Sequence, residues 1–250
     1  MLRPLFRRSF ATAAGALRKT PLHPAHTALG AKMAAFGGWD MPIQYPEGIM
    51  KSHLHTRQSA GVFDVSHMLG VVVRGADRVA FMESLCTADI KALPEGMGGL
   101  SVITNADGGI IDDCIITNAG DHLYMVINAG HEDKDLPHMQ RHLEKFVSDG
   151  GDAAIETLPD NGILALQGPK AASVLQSLVS DDLSQMAFMS ARPMKVGGVE
   201  TFVARSGYTG EDGFEIAVPP GSGSSHAVVS LWDTLLAKEE VMPVGLGARD

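Results

Sequence analysis

Apolar and polar positions alternate with a two-residue period through much of residues 99–129. "GLSVITN" and "GIIDDCIITN" are rich in β-branched residues, and "ADGG" between them supplies the positive-φ residues of a tight connection. That pattern predicts a hairpin, followed by a further strand in "LYMVINAG". "VETFVARSGYTGEDGFEIAVP" predicts another antiparallel pair, joined by "SGYTGEDG". Elsewhere the period lengthens. "LGVVVRGADRVAFMESLCTADI" overlays "GILALQGPKAASVLQSLVSDDL" without gaps, matching Gly75 to Gly168, Ser84 to Ser177, Leu85 to Leu178 and Asp89 to Asp182. Each stretch predicts an apolar strand, a glycine turn and a helix beginning at Asp77 or Pro169. The helices carry apolar stripes at Val79, Met82, Cys86 and at Ala172, Leu175, Val179. Strands outnumber helices and connect mostly through turns. The expected class is α+β, with antiparallel sheets, helices packed on them and two related strand–helix units. "GGWDMPIQYPEG", "LPEGMGG", "SDGGD" and "PPGSGSSH" read as loops, the last as a surface excursion.

Composition narrows the function classes. A chain of 250 residues at 45% hydrophobic can bury a sizeable core. No apolar run is long enough to span a membrane. Cys86 and Cys114 have neither metal-site nor disulfide spacing. The first twenty residues hold Arg3, Arg7, Arg8, Arg18 and Lys19 and no acid, the composition of an organellar transit peptide, with 21–250 as the globular region. Removing those five charges would take the net charge from −9 to −14. That argues against nucleic acid as a partner, because phosphate binding needs a basic surface. An anionic small molecule would need a local Arg or Lys.

The strand "GIIDDCIIT" places two acids in an apolar run. Ile111, Asp113 and Ile115 should face one way, and Ile110, Asp112 and Cys114 the other. Apolar neighbours on both faces predict cover on both, with at least one carboxylate dehydrated and therefore hydrogen-bonded or shifted in pKa. Spacing alone does not decide which acid matters. Other polar residues in apolar context are Asn128 at a strand end, Tyr208, Glu215 between Phe214 and Ile216, and Arg249. Taken singly, each is more readily a local cap or ion pair. His138 and His142 share a predicted helix in "LPHMQRHLEKF", with His131 upstream, and His53 and His55 lie in "KSHLHTR". None has metalloprotease or zinc-finger spacing, so no metal is expected. No phosphate-binding glycine loop and no G-x-S-x-G turn is found.

Seven ordered blocks go further. "TPLHPAHTALGAKMAAFGGWDMPIQY", "SHLHTRQSAGVFDVSHMLGVVVRGADRVAFMESL", "TNADGGIIDDCIITN", "LYMVINAG", "LALQGP", "RSGYTGEDGFEIAVP" and "GLGARD" together resemble the aminomethyltransferase (T-protein) family of the mitochondrial glycine cleavage system. The resemblance runs from about Thr20 to the end. It implies a mitochondrial matrix enzyme that takes the aminomethyl group from the dihydrolipoyl arm of H-protein. The methylene carbon passes to tetrahydrofolate and ammonia is released. It assigns the acting carboxylate to Asp113, beside the bridging nitrogen of folate in a dry cleft, and the pterin edge to Glu215. Arg249, Tyr208, Asn128, Met68 and Asp112 fall to the folate site. No covalent enzyme adduct and no metal is implied. Members of that family continue past "GLGARD" into a C-terminal β-barrel, so the resemblance implies a truncated member whose turnover is in question. The competing readings are a non-catalytic folate-binding relative of iron–sulfur assembly, the folate domain of a sarcosine- or dimethylglycine-oxidising flavoenzyme, and an inactive fragment. The first of these carries a Lys-Gly-Cys-Tyr-type motif where this chain has "RSGYTGEDGFE".

Overall fold

The computed structural model describes residues 16–159, 162–221 and 223–249. The expected leader lies outside the described residues as far as residue 15. Arg18 and Thr20 already belong to the folded body: the Arg18 guanidinium sits 4.1 Å from the centre of the Trp39 ring, and Thr20 is buried. An N-terminal segment follows, with α1 (His23–Ala28), the hairpin β1 (Lys32–Phe36) and β2 (Trp39–Gln44), α2 (Ile49–Gln58) and β3 (Ala60–Asp64).

Two units of one plan make up the rest. The first is β4 (Leu69–Arg74), α3 (Arg78–Glu83), β5 (Gly98–Thr104), β6 (Ile110–Asn118), β7 (Leu123–Ile127), α4 (Glu132–Ser148) and β8 (Ala154–Leu158). The second is β9 (Gly162–Gln167), α5 (Ala171–Gln176), β10 (Ala191–Val196), β11 (Val199–Ala204), β12 (Gly213–Val218), α6 (Ser224–Leu236) and β13 (Val241–Pro243). The first sheet runs β5-β6-β7-β4-β8 and the second β10-β11-β12-β9-β3-β13, so the strand order is the same except that β3 is inserted beside β9. The duplication expected over 22 residues therefore extends through both units.

The matched glycines have a physical reason. Gly75 and Gly168 have φ of +107° and +133°, and a Cβ at either would stand 2.3 Å from a backbone carbonyl oxygen, of Asp152 and Ser59 respectively. Only glycine lets each strand turn into its helix against so close a neighbour. Ser84 and Ser177 also behave alike, each closing its helix with a hydroxyl donated to the carbonyl three residues back.

Alternation along the strands sorts side chains into three cores. Val71, Val73, Cys114, Ile116 and Met125 pack beneath α3 and α4 with Phe81, Met82, Met139 and Leu143. Leu164, Leu166, Val203, Phe214 and Ile216 pack beneath α5 and α6 with Val174, Leu175, Leu231 and Trp232. The opposite faces of the two sheets meet through Phe63, Ile163, Ala165, Ala217, Val126 and Phe202. The result is helices, sheet, sheet, helices. The expected α+β class with antiparallel sheets and packed helices is what forms.

Two local expectations change. "PPGSGSSH" is a loop only as far as Gly223, which has φ +91° and begins α6, so Ser224 and Ser225 are helical. The strand holding the paired acids is not covered along its whole length, because Ile110 at its start is 69% exposed. No helix among the described residues is long and apolar enough to cross a membrane.

Candidate functional site

A cavity of about 200 Å³ opens between the two sheets. Asp113, Ile115 and Thr117 reach it from β6, Tyr124 and Val126 from β7, and Glu215 from β12. The loop after β3 supplies Val65, His67 and Met68, and the loop before β12 supplies Ser206 and Tyr208. Asn128 and Arg249 complete the wall. Six of the seven residues singled out from the sequence thus meet at one place, across more than a hundred residues of chain.

The seventh, Asp112, does not line the cavity. The alternation read from the sequence holds, so Asp112 points to the helix side of the sheet with Cys114, and Asp113 to the cavity side. The burial is the reverse of what the catalytic reading needed. Asp112 is 7% exposed, whereas Asp113 is an exposed residue. The dehydrated carboxylate of the pair is Asp112, and Asp113 stands in solvent at the cavity wall. Helix α4 covers the inner face of β6, while the outer face has only the cavity against it.

The electrostatics are uneven around the wall. Glu215 is half-buried, and burial raises its pKa, with a hydrogen bond from Ser206 opposing the shift. Phe214 and Ile216 point the other way into the helix-side core, as the alternation requires. The Tyr208 ring carries the Arg249 guanidinium 4.3 Å from its centre and meets Phe63 edge-on. The Tyr208 hydroxyl is buried with no hydrogen-bond partner among the described residues, and the same holds for His67 Nδ1. Burial pushes His67 down to about 4; Asp64 opposes the shift and Arg249 adds to it. The imidazole is therefore neutral at physiological pH. Orphaned buried polar atoms are costly, and two of them lining one cavity fit a site built for a polar ligand. Burial also pushes the Cys114 thiol up to about 12, which removes it as a nucleophile at neutral pH.

The supporting frame is hydrogen-bonded throughout. Asn128 Nδ2 donates to Asp113 Oδ1 at 3.1 Å and to the Asp113 carbonyl at 3.2 Å. The loop bearing Tyr208 is pinned by the paired contacts of Arg205 with Asp212, at 3.0 and 2.6 Å, and by Gln167, which donates to the Ser206 carbonyl and accepts from Thr209. The loop bearing His67 starts from Asp64, whose fully buried carboxylate receives Thr20 Oγ1 at 2.6 Å, His26 Nε2 at 2.9 Å and the Ser66 amide at 2.9 Å. His67, Ser206, Thr117 and Tyr124 were not foreseen from the sequence. For His67 a signal existed, a histidine directly after the buried run "AGVFDVS".

One polar group lies behind the wall. Asp112, His131 and Asp135 bring one ligating atom each within 4.8 Å of one another, a spacing that a divalent cation or a shared proton could bridge. His138 and His142, by contrast, set tilted rings 4.5 Å apart, and His138 faces the Thr104 carbonyl.

The aminomethyltransferase, mitochondrial, of Dictyostelium discoideum is 49% identical over 243 residues, covering 94% of this chain and 59% of that protein. The aminomethyltransferase, mitochondrial, of Homo sapiens is 48% identical over 249 residues, covering 99% of this chain and 60% of that protein. The crystal structure of glycine cleavage system aminomethyltransferase T from Bartonella henselae matches with a TM-score of 0.83 at 38% identity, over 94% of this chain and 61% of that one. This chain spans about 60% of the length of the curated relatives it matches. Residues 22–250 match the family defined by the GCVT N-terminal domain, and the chain belongs to that family.

Proposed function

We propose that this chain carries the folate-binding face and the acting acid of a mitochondrial aminomethyltransferase of glycine cleavage. Its substrates would be tetrahydrofolate and the aminomethyl-dihydrolipoyl arm of H-protein. The single observation that carries the reading is the meeting of Asp113 and Glu215. They come from different sheets and line one cavity with Tyr208, Arg249 and two orphaned buried polar atoms.

The chemistry needs two nitrogen–carbon bonds to form on the folate while the carbon–nitrogen and carbon–sulfur bonds of the aminomethyl group break. The two protons leaving the folate nitrogens end on ammonia and on the lipoyl thiol. Asp113 would take up the first proton as the bridging nitrogen attacks. It is exposed in the free chain, so the dehydration that strengthens a carboxylate base would come from the folate ring seated over it. Glu215, which Ser206 already bonds, would also accept from adjacent N–H groups on the pterin edge. Tyr208 and Arg249 form a flat cationic stack suited to the rest of the ligand. Holding both reactants against one wall adds a proximity term.

Tetrahydrofolate titration of the chain tests the binding half. Saturable binding weakened by Glu215→Ala and Arg249→Ala supports it, and no binding at millimolar tetrahydrofolate overturns it. For the chemical half, aminomethyl-loaded H-protein is supplied to a chain completed to the length of its relatives. Asp113→Asn should lose rate far more than folate affinity, and turnover as fast as wild type would remove Asp113 from its role.

A further inference from the structure

Behind the cavity wall, Asp112 and Asp135 are both buried, at 7% and 1% exposure, with a carboxyl oxygen of each within 4.8 Å of the other. Two ionised carboxylates buried so close together repel and offer only acceptors, whereas a proton on one lets it donate to the other. We propose that Asp112 and Asp135 share a single proton and that this pair positions Asp113 through the side-chain amide of Asn128. The positioning half rests on the reading of Asp113 as the acting base; the shared proton does not.

The connections are continuous. His131 Nδ1 lies 2.7 Å from Asp112 Oδ2 and donates to it when Asp112 is ionised. Asn128 Nδ2 stands 3.4 Å from Asp112 Oδ1 and 3.1 Å from Asp113 Oδ1, so one amide links the carboxyl behind the sheet to the one in front. Asp135 Oδ1 is buried without a hydrogen-bond partner among the described residues, and the nearest cation, Lys134 Nζ, is 3.9 Å away and bonded to the Ile111 carbonyl. A proton suits this arrangement better than a metal ion, because a divalent cation would sit beside that ammonium. The pair's surroundings are Asp113 and the Cys114 thiol from β6, Asn128 from the end of β7, and His131, Lys134 and His138 from α4 and its cap.

The sign of the pH response follows. Burial first, and Asp112 second, raise Asp135 to about 7, whereas burial pulls Asp112 upward and its contacts with Asp135, His131 and Asn128 together outweigh that and hold it low. A raised acid contributes stability that is complete below the unfolded value and lost as pH rises through the folded one. Above that point two adjacent negative charges repel, and the amide of Asn128 is drawn away from Asp113.

The test uses the ligand-free 250-residue chain, with carbon-13 NMR of labelled aspartate carboxyls and nitrogen-15 NMR of the Asn128 amide. We expect one carboxyl midpoint near neutrality and the same midpoint on the Asn128 amide, both abolished by Asp135→Asn. His131→Gln should keep both. A midpoint that survives in Asp135→Asn, or that vanishes only in His131→Gln, overturns the shared proton. An Asn128 amide blind to the titration overturns the positioning. Loss of the midpoint on adding zinc or magnesium alone, with a raised melting temperature, overturns the proton in favour of a cation. In a second arm, tetrahydrofolate affinity should fall about 3- to 10-fold between pH 6 and 8.5 in wild type and stay level in Asp135→Asn. No tetrahydrofolate binding at any pH would sink the folate reading, with the ligand-free midpoints still deciding the pair.

Discussion

The two units carry the same seven elements in the same strand order, yet they are furnished differently. Their registers allow a position-by-position comparison. Tyr124 on β7 pairs with Thr117, as Glu215 on β12 pairs with Ala204, so Tyr124 and Glu215 occupy equivalent places on opposite cavity walls. Asp113 corresponds in the same way to Glu200, which is exposed and ion-paired to Lys195 at 2.7 Å. The second unit keeps a helix-side core of Trp232, Leu231, Phe214 and their neighbours, with Asp64 of β3 buried beside it and held by His26, and the first keeps a core with the Asp112–Asp135 pair at its rim. A duplicated scaffold thus brings an acid from each half to one cavity, Asp113 and Glu215. The insertion of β3 into the second sheet breaks the symmetry and brings His67 and Met68 to the shared wall.

The comparison can be broken most severely at the larger core. Trp232→Ala removes a fully buried indole that also meets His26 edge-on, and should cost about 3–5 kcal/mol by urea unfolding. A loss below that of Phe81→Ala, a fully buried aromatic of the first unit's core, would show that the larger core is not the costlier one to open. In turnover, Asp113→Asn should cost about 10²–10⁴-fold in rate.

A pH scan separates the inserted loop from both units. His67 is held neutral, with its folded value below its unfolded one, so its contribution to stability is present above pH 6.5 and lost as pH falls through about 4. The full effect is on the order of 3 kcal/mol, and His67→Phe should flatten that stretch of the stability–pH curve. Thr20→Val removes the hydroxyl donated to buried Asp64 and should cost about 1.5–3 kcal/mol. A chain beginning at residue 21 should show at least that loss against one beginning at residue 16, which tests whether a leader ends before Thr20. Glu200→Gln, at the exposed counterpart of Asp113, should stay within about 0.5 kcal/mol and leave turnover unaffected.

Local pattern revealed the strand–helix duplication because the glycine turn is dictated by backbone contact, which the sequence shows directly at Gly75 and Gly168. It revealed which face each acid of "GIIDDCIIT" takes, since alternation is a property of the strand itself. It could not say which face is wet, because that depends on α4 covering one side and an open cavity the other. The pattern left open which acid is dry; the resemblance put Asp113 in a dry cleft, and it is exposed. The pairing of β3 with β9 and β13 was equally hidden, for "AGVFD" is an apolar run whose partners lie a hundred residues or more away. The resemblance to a family brought Asp113, Glu215 and Arg249 together before any fold was known; their spacing alone would not have done so.

The place of β3 also bears on how the chain is made. This strand is synthesised before the whole first unit, yet both of its hydrogen-bonded neighbours belong to the second. During translation its two edges must wait, unpaired and apolar, while some hundred residues emerge and the first unit has the chance to condense without it. Such long-range closure is slow and leaves a sticky segment available to chaperones or to neighbouring nascent chains. Delayed capture of one five-residue strand, rather than formation of either sheet alone, is then the step that should set the pace of maturation.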